Sequence, residues 1–413
     1  MLNIGQLVST VQKNCHISDA QHAGELTLCT YLLKMREFYR WENDIPLTRQ
    51  LVKDDVGRWL QEREQMWEHL EASHFDPIPL DHGSSDPFDT DDINRELVPQ
   101  GYVYSGGYGR FCKPHFFLGN LVTKETRNGF TVYLSSCEYA RDLEAPPAML
   151  QGRTIFVRQE SVRRYLWEKV EESRWSRGNE AMQCALSCYG LVDDDVRGRT
   201  SAGRSQPPAS RDTRTSLYSA GDTTPGMEDD RRDAGGRALS GTNAEVEQRP
   251  ERLPRMPEAA TELALDRMTQ NETESIVLHE LGEGLAGEAL GTDWERLLSG
   301  LSRSKAETMA RAVRDNLADC LTTLPALVET RNDASLHFYF ATFGGMRRHL
   351  FPEALAAYRR WCADSNLDPL RNLARQGQSR WRETAEQILV LFRRDEQQAA
   401  AKIVRLLDKD SSL

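Results

Sequence analysis

Residues 110–140 read RFCKPHFFLGNLVTKETRNGFTVYLSSCEYA, and this stretch decides the fold class of the first half of the chain. Valine, tyrosine, phenylalanine and threonine, which favour strands, are frequent on both sides of Asn128 and Gly129. A two-residue turn between antiparallel strands needs positive φ at both central residues, and Asn-Gly meets that need easily. The stretch therefore predicts a β-hairpin.

Flanking segments extend this hairpin into an α+β domain. YVYSGG (102–107) and RTIFVR (153–158) have strand composition, so we predict a small antiparallel sheet. A loop rich in Asp, Pro, Gly and Ser is predicted over 74–92. Helical periodicity predicts three helices in this half, at 19–42, 54–72 and 160–174.

A change of composition separates this half from the rest. From residue 193 the chain reads DDDVRGRTSAGRSQPPASRDTRTS, and it stays rich in Gly, Ser, Pro, Arg and Asp to residue 257. Such a segment buries too little apolar area to offset its chain entropy. We therefore predict a mixed α/β domain over 1–192 and a disordered linker over 193–257.

Everything after the linker has helical periodicity, which predicts an all-helical domain over 258–413. A break in the last helix is expected near Arg394. The predicted helices are 259–269, 273–290, 292–300, 304–322, 334–347, 352–364 and 379–409.

Composition limits the classes of function. The net charge of −11 disfavours broad affinity for nucleic acids, which need a concentrated basic surface. The chain has no run of eighteen or more apolar residues, so no membrane span is predicted. The N-terminus has no signal-peptide pattern, so we expect a cytoplasmic protein. The eight cysteines are scattered, and Cys184 and Cys188 lack a second pair to complete a zinc site.

The segment IVLHELGEG (276–284) has nearly the spacing of a metal-binding helix. His279 and Glu283 are four residues apart and project from one helix face, where a zinc protease has two histidines. We predict that they hold a divalent metal such as zinc, iron or manganese, with Glu280 as a base or third ligand. The alternative is a buried His–Glu hydrogen bond between packed helices. Three small residues favour this alternative: Gly282, Gly284 and Gly287.

Other ligands for such a metal are less well supported. Asp315 and Asp319 lie opposite the apolar stripe of their predicted helix, so we expect both to be solvated. His337 lies in the apolar segment SLHFYFATF, which is typical of a core histidine. It could nevertheless supply a third ligand.

A second candidate site lies on the predicted helix 19–42. Arg36 and Arg40 share a face with His22, so the arginines could bind a carboxylate or phosphate while His22 acts as acid or base. A nucleophile pair of Cys15 with a histidine is also conceivable. The alternative is a set of internal salt bridges, in which Glu25 pairs with an arginine.

The glycine-rich segment 104–110 is not a phosphate-binding loop, because it lacks the Gly-Lys-Ser/Thr ending. We predict a tight turn at Gly106 and Gly107. Several polar side chains further along could line a cleft on the sheet: Arg110, Lys113, His115, Cys137, Glu138 and Arg141.

Five segments together resemble an uncharacterised bacterial protein family of unknown function. The resemblance implies a bacterial origin and no particular activity. The segments are NCHISDAQHAGELTLCTYLLKMREFYRWE, YSGGYGRFCKPHFFLG, CEYARDLEAPPAM, LHELGEGLAG and RDNLADCLTTLPAL.

Two classes of function remain. One is an enzyme or a ligand- or metal-binding protein whose site uses His279 and Glu283 or the group of His22, Arg36 and Arg40. The other is a non-catalytic adaptor with two interaction domains on a flexible tether. A site at the junction becomes attractive if the two halves pack together, whereas separate halves favour the adaptor.

Overall fold

A five-stranded sheet organises the first half of the protein. The computed structural model describes residues 2–109, 112–175, 179–191 and 258–410, so the predicted linker lies outside the described residues. The strands are β3 (Tyr102–Tyr108), β4 (Pro114–Arg127), β5 (Phe130–Arg141), β6 (Ala148–Gln151) and β7 (Thr154–Arg158), after a small hairpin of β1 (Ile78–Leu80) and β2 (Gly83–Ser85). Their order is β3-β4-β5-β7-β6.

The predicted hairpin is confirmed. Arg127 pairs with Phe130, and Asn128 and Gly129 between them have φ of 48° and 82°. The predicted α+β class is also confirmed, with one difference in the sheet. β5 and β7 are parallel, because β6 turns back at the edge and β7 returns between β6 and β5.

The tight turn predicted at Gly106 and Gly107 is wrong, because both residues are paired within β3. Their missing side chains serve close packing instead. A Cβ atom at Gly106 would collide with the Pro87 carbonyl, and one at Gly107 with the Gln151 side chain. Gln151 lies on the opposite edge strand, so the sheet curls until its two edges approach each other at this end.

Helices before and after the strands cover the sheet. They are α1 (Ile4–His22), α2 (Leu28–Glu42), α3 (Lys53–Leu70), α4 (Thr90–Leu97), α5 (Gln159–Trp175) and α6 (Glu180–Tyr189). The predicted helix 19–42 is wrong in its start, because a single 3₁₀ turn at Ala23–Glu25 separates α1 from α2. The Thr27 side chain then accepts a hydrogen bond from the Thr30 amide and caps α2.

The second half is all helical, as predicted. Its helices are α7 (Glu258–Leu290), α8 (Thr292–Gly300), α9 (Lys305–Ala318), α10 (Leu324–Glu329), α11 (Asp333–Thr342), α12 (Gly345–Leu350), α13 (Pro352–Asp364), α14 (Asp368–Arg394) and α15 (Glu396–Asp410). A π-helical turn, Asp319–Thr323, joins α9 to α10. α7 is one helix rather than the two predicted, and the break near Arg394 is confirmed. None of the described helices is both long and apolar enough to span a membrane.

The two halves pack together, and residues 1–191 and 258–413 form one compact unit. α7 packs against α5 and against strands β6 and β7, and α6 packs against α11. A buried hydrogen bond from the Tyr189 hydroxyl to Glu272 joins α6 to α7. The long helix α7 therefore belongs to the cores of both halves.

Candidate functional site

The segment 276–284 lies where α7 crosses α9 and the π-helical turn. Gly282 is at the point of closest approach, because a Cβ atom there would come within 3.0 Å of both the Ala318 carbonyl and the Thr322 hydroxyl. The Thr322 hydroxyl lies 2.6 Å from the Leu278 carbonyl oxygen. π-Helical turns add one residue to a helix and occur often at functional sites. Close helix packing therefore places the polar side chains of both helices together.

The His279 imidazole lies between two carboxylates. Its Nδ1 atom is 2.8 Å from Asp319 Oδ1, and its Nε2 atom is 3.4 Å from Glu283 Oε1. The Tyr339 hydroxyl donates to Asp319 Oδ2 at 2.8 Å, and Arg347 forms an ion pair with the same carboxylate. The Asp319 carboxylate thus orients the imidazole while two other groups hold the carboxylate.

Glu283 is held by a cation as well as by the histidine. Arg314 of α9 lies 2.8 Å from Glu283 Oε2 and 3.3 Å from Asp315 Oδ1. Burial raises the pKa of Glu283, but the hydrogen bond of His279 and the charge of Arg314 lower it to about 2. Burial lowers the pKa of His279, and Glu283 outweighs this effect and raises it above its ordinary value. Glu283 is therefore charged at neutral pH, and its charge favours the protonated form of His279.

Glu280 differs from these paired groups. Burial and the neighbouring charge of Glu283 raise the pKa of Glu280 to about 7. Within the described part of the chain, its carboxyl group has neither an ion pair nor a hydrogen bond. A carboxyl group with a pKa near the working pH can both accept and release a proton.

This group of side chains, called here the α7–α9 cluster, is partly open to solvent. The side chains of four charged members, His279, Glu283, Arg314 and Arg347, are between 19% and 28% exposed. The cluster also contains Glu280, Asp315, Tyr339 and the buried Asp319. A ligand could therefore reach the cluster, which a sealed core would not permit.

Two family models match the chain. A family of unknown function (DUF6866) has an N-terminal domain that matches residues 6–158 and a C-terminal domain that matches residues 163–410. The chain belongs to this family. The match confirms the resemblance to a family of unknown function. No protein with a curated description and no solved structure matches the chain.

The geometry does not support the predicted metal. Among the described residues of this DUF6866 protein, no group of three or more His, Cys, Asp or Glu side chains is arranged to hold a metal ion. Arg314 and Arg347 neutralise the carboxylates that a metal would need. The proposed third ligand, His337, hydrogen-bonds the Tyr358 hydroxyl at 2.8 Å and stacks near Trp361, as a core histidine does.

The prediction that Asp315 and Asp319 are solvated is wrong. Asp319 is buried and Asp315 is only partly exposed. α9 packs against α7, α12, α14 and α15, so the side of the helix opposite its apolar stripe also meets other helices. A helical wheel assumes one buried face, and this helix has several.

The group of His22, Arg36 and Arg40 does not form one site. His22 ends α1, whereas both arginines lie on α2 after the 3₁₀ turn, so the shared face expected of one long helix does not exist. Arg36 pairs with Glu37 and Glu171, and Arg40 donates to the carbonyls of Pro46 and Arg49. These contacts correspond to the salt-bridge alternative.

Glu25, named in that alternative, lies 3.8 Å from the ring of His22 and 3.6 Å from Arg303. The pair of Cys15 with His16 does not form either. The Cys15 thiol donates to the Phe116 carbonyl, whereas His16 contacts Gln12, Arg63 and Trp67.

The polar residues expected to line a cleft on the sheet are buried instead. Lys113 pairs with Asp19 at 3.2 Å, and the ring of His115 lies near Ser105, Gln151 and Asp142. Glu138 and Arg141 lie deep on the same face of the sheet, whereas Cys137 is exposed. Arg110 lies outside the described residues.

Two surface grooves occur elsewhere in the helical half. One of about 450 Å³ is lined by α8 and α14 residues, including Arg296 and Phe392. The other, of about 580 Å³, lies beside the π-helical turn and includes Arg371 and Arg375. Neither groove is lined by members of the α7–α9 cluster. The one lining group with a strongly shifted pKa among the described residues is the Cys320 thiol, whose pKa burial raises to about 12.

Proposed function

We propose that the protein binds a small polar ligand at the α7–α9 cluster and that Glu280 exchanges a proton with this ligand. The observation that carries the proposal is the Glu280 carboxyl group. It is half-buried, it has a pKa of about 7, and it is unpaired beside neighbours that are all paired. Perturbed pKa values of this kind are typical of binding and catalytic sites.

The charge of the cluster indicates the class of ligand. Glu280, Glu283 and the two aspartates supply four carboxyl groups, while Arg314, Arg347 and a protonated His279 supply three positive charges. With Glu280 protonated the cluster is neutral, and with Glu280 ionised it has one negative charge in excess. A ligand with an ammonium, guanidinium or hydroxyl donor would stabilise the ionised form of Glu280.

His279 contributes orientation and a second proton site. The charge-assisted contact with Asp319 fixes the ring, as a carboxylate partner does for many acid–base histidines. Tyr339 and Arg347 in turn hold Asp319. The cluster thus offers one mobile proton on Glu280 within a rigid arrangement, which suits acid–base chemistry on a bound ligand.

The packing of the two halves supports this proposal over the adaptor. A tethered adaptor would hold two interaction domains apart, whereas here α7 joins the cores of both halves. Several ion pairs also cross the junction, among them Arg163 with Glu262 and Arg127 with Glu274. Capture of a protein partner by the intact chain, with no effect of Glu280 substitution, would favour the adaptor.

The test uses the full chain with Glu280→Gln and, as a matched control on the same helix, Glu288→Gln. Glu288 pairs with Arg153 at the surface, so its loss should have little effect. Thermal melts with 1,4-diaminobutane and with sodium acetate, at equal ionic strength, would serve as probes of opposite charge. We expect the diamine to raise the melting temperature of the wild type and the control, but not of Glu280→Gln.

Two further measurements complete the test. Titration of ¹³C-labelled glutamate carboxyl groups by NMR should show two groups near pH 7, because burial also raises the pKa of Glu160 to about 7. Only one of them should disappear in Glu280→Gln, and a wild-type spectrum in which neither signal depends on Glu280 would refute the proposal. Metal analysis of protein purified without a tag or chelator addresses the predicted divalent metal. If the wild type contains near-stoichiometric metal and Glu283→Gln does not, the ligand of the cluster is that metal and not an organic molecule.

We propose the cytoplasm as the location. All eight cysteines lie in described residues and all are free thiols, as in proteins of a reducing compartment. Burial raises the pKa of Cys184 and Cys188, which disfavours the reactive thiolate form at neutral pH. A bacterial origin remains an expectation from the family resemblance.

A further inference from the structure

A fully buried arginine in the first half lacks the partners that such a group needs. Arg141 ends β5 and its side chain has no exposed area. None of its three guanidinium nitrogens has a hydrogen-bond acceptor among the described residues. The nearest carboxylate oxygen, Glu138 Oε2, is 4.0 Å from one of these nitrogens. Arg141 is therefore a buried cation with its donors unused.

The surrounding groups offset only part of the cost of this burial. The guanidinium lies 5.4 Å from the centre of the Phe38 ring and 5.3 Å from that of Trp41. Such cation–π contacts are favourable, but they leave the N–H groups without acceptors. An arginine cannot lower the cost by losing its proton, because the guanidinium group stays protonated in proteins.

Glu138 cannot complete the set, because other donors already occupy it. Arg158 donates to both of its oxygens, at 3.3 and 2.7 Å, and the Ser161 hydroxyl donates to one of them. Arg158 still has one nitrogen, NH1, without an acceptor in the described part of the chain. Two guanidinium groups on the same face of the sheet thus have unused donors, and one carboxylate lies between them.

The charges of the buried side chains around this point also leave a positive excess. The buried cations are Lys113, Arg141, Arg158 and Arg164, and the buried carboxylates are Asp19, Glu138 and Asp142. Lys113 uses Asp19 and the partly exposed Glu144. The half-buried Glu160 accepts a hydrogen bond from the Glu138 amide, but burial and the charge of Glu138 raise the pKa of Glu160 to about 7, so it supplies only part of a negative charge near neutral pH. The arginines near Glu138 therefore keep a positive excess, which one more negative charge would balance.

We propose that Arg141 and Arg158 bind a small anion on the inner face of the curled sheet. The site is separate from the α7–α9 cluster and does not depend on the function proposed for it. All side chains that form it are buried, and Glu138 lies close to Arg141, so the fitting class is a monovalent anion of a few atoms, such as a halide, nitrate or formate. Guanidinium groups bind such anions through charge-assisted N–H donors.

The bound anion should stabilise the folded state. A ligand that binds only the folded state at a hundredfold excess over its Kd raises the melting temperature, here by about 3–6 °C. The full chain would be dialysed into sodium gluconate, whose anion is too large for an enclosed site, and melted with increasing chloride or nitrate at constant ionic strength. We expect a saturable rise at millimolar concentrations, whereas a general salt effect would grow linearly.

Two variants identify the site. Arg141→Met keeps the length and apolar stem of the side chain but removes the donors, so the saturable rise should disappear. Arg58→Met is the control, because Arg58 is exposed at the surface of α3 and should leave the rise unchanged. A rise that persists in folded Arg141→Met, or a wild type with no saturable rise, would overturn the proposal.

A second measurement covers the case in which Arg141→Met does not fold. Crystals of the wild type grown in sodium bromide should show an anomalous peak at hydrogen-bond distance from the guanidinium groups of Arg141 and Arg158. Water at that place without a bromide peak would overturn the proposal, since water can accept the same hydrogen bonds.

Discussion

Replacement of Gly282 by alanine should separate the two helices that form the α7–α9 cluster. The added Cβ atom would come within 3.0 Å of the Ala318 carbonyl and the Thr322 hydroxyl. The first of these belongs to the helix backbone and cannot rotate away. α7 and α9 must therefore move apart by several tenths of an ångström at the point where they cross.

The magnitude follows from two opposing effects. Overpacking in a well-packed interior costs about 1–3 kcal/mol. Alanine in place of glycine inside a helix gains about 0.5–1 kcal/mol. Gly287 on the same helix provides the matched control, because a Cβ atom there would meet nothing within 4 Å. Since both variants share the gain in propensity, their difference in unfolding free energy equals the packing cost, about 1–3 kcal/mol.

Urea unfolding followed by circular dichroism measures this difference. We expect Gly287→Ala to be as stable as the wild type or more stable, and Gly282→Ala to be less stable. Separation of the helices should also lengthen the contact of His279 with Asp319, so the NMR titration of the His279 ring should change in Gly282→Ala alone. Equal stabilities of the two variants would refute the claim that Gly282 is required by close packing.

Two further predictions concern pH. Burial raises the pKa of Glu283, but His279 and Arg314 lower it from an ordinary 4.5 to about 2. Glu283→Gln should therefore lower the free energy of unfolding by about 2–3 kcal/mol at pH 7. In urea unfolding, this deficit should shrink as the pH falls below 4.5, and a constant deficit would contradict the ion-pair account. Burial lowers the pKa of His115 from 6.5 to about 4, so its contribution to stability is complete above pH 6.5 and is lost towards pH 4. Thermal melts across this interval should show a shallower loss for His115→Gln than for the wild type, and parallel curves would contradict the prediction.

Local sequence signals predicted the elements whose cause is local. The hairpin at Asn128 and Gly129 depends on backbone conformations that only a few residues adopt, and it is found where expected. Helical periodicity likewise predicted the helical second half. α1 was missed although its apolar residues Leu7, Val11 and Cys15 recur every four residues, which is a helical spacing. The sequence does not tell that this face packs against β4 and β5.

The candidate site was predicted only in part. The spacing of His279 and Glu283 was enough to place them on one helix face, and they do contact each other. Asp319 was assigned to solvent because a helical wheel represents one helix alone. Its burial depends on the crossing of α7 and α9, and the partners Tyr339 and Arg347 come from helices further along the chain. Contacts of this kind follow from tertiary packing and have no signal in the spacing of one segment.

The segment LHELGEG was interpreted in two ways, as a binding motif or as a packing motif, and the structure shows the close packing, whereas binding is our proposal. Gly282 faces the π-helical turn, and Gly284 faces the Phe130 ring at the tip of the β4–β5 hairpin. Between and beside these glycines, His279, Glu280 and Glu283 face the α9 side chains. The glycines fix the position of α7 against both halves, and this position in turn sets the distances from His279 to Asp319 and from Glu283 to Arg314. The geometry of the cluster therefore depends on the packing of the whole junction, so a substitution at the hairpin tip, such as Phe130→Ala, should disturb the cluster without changing any of its members.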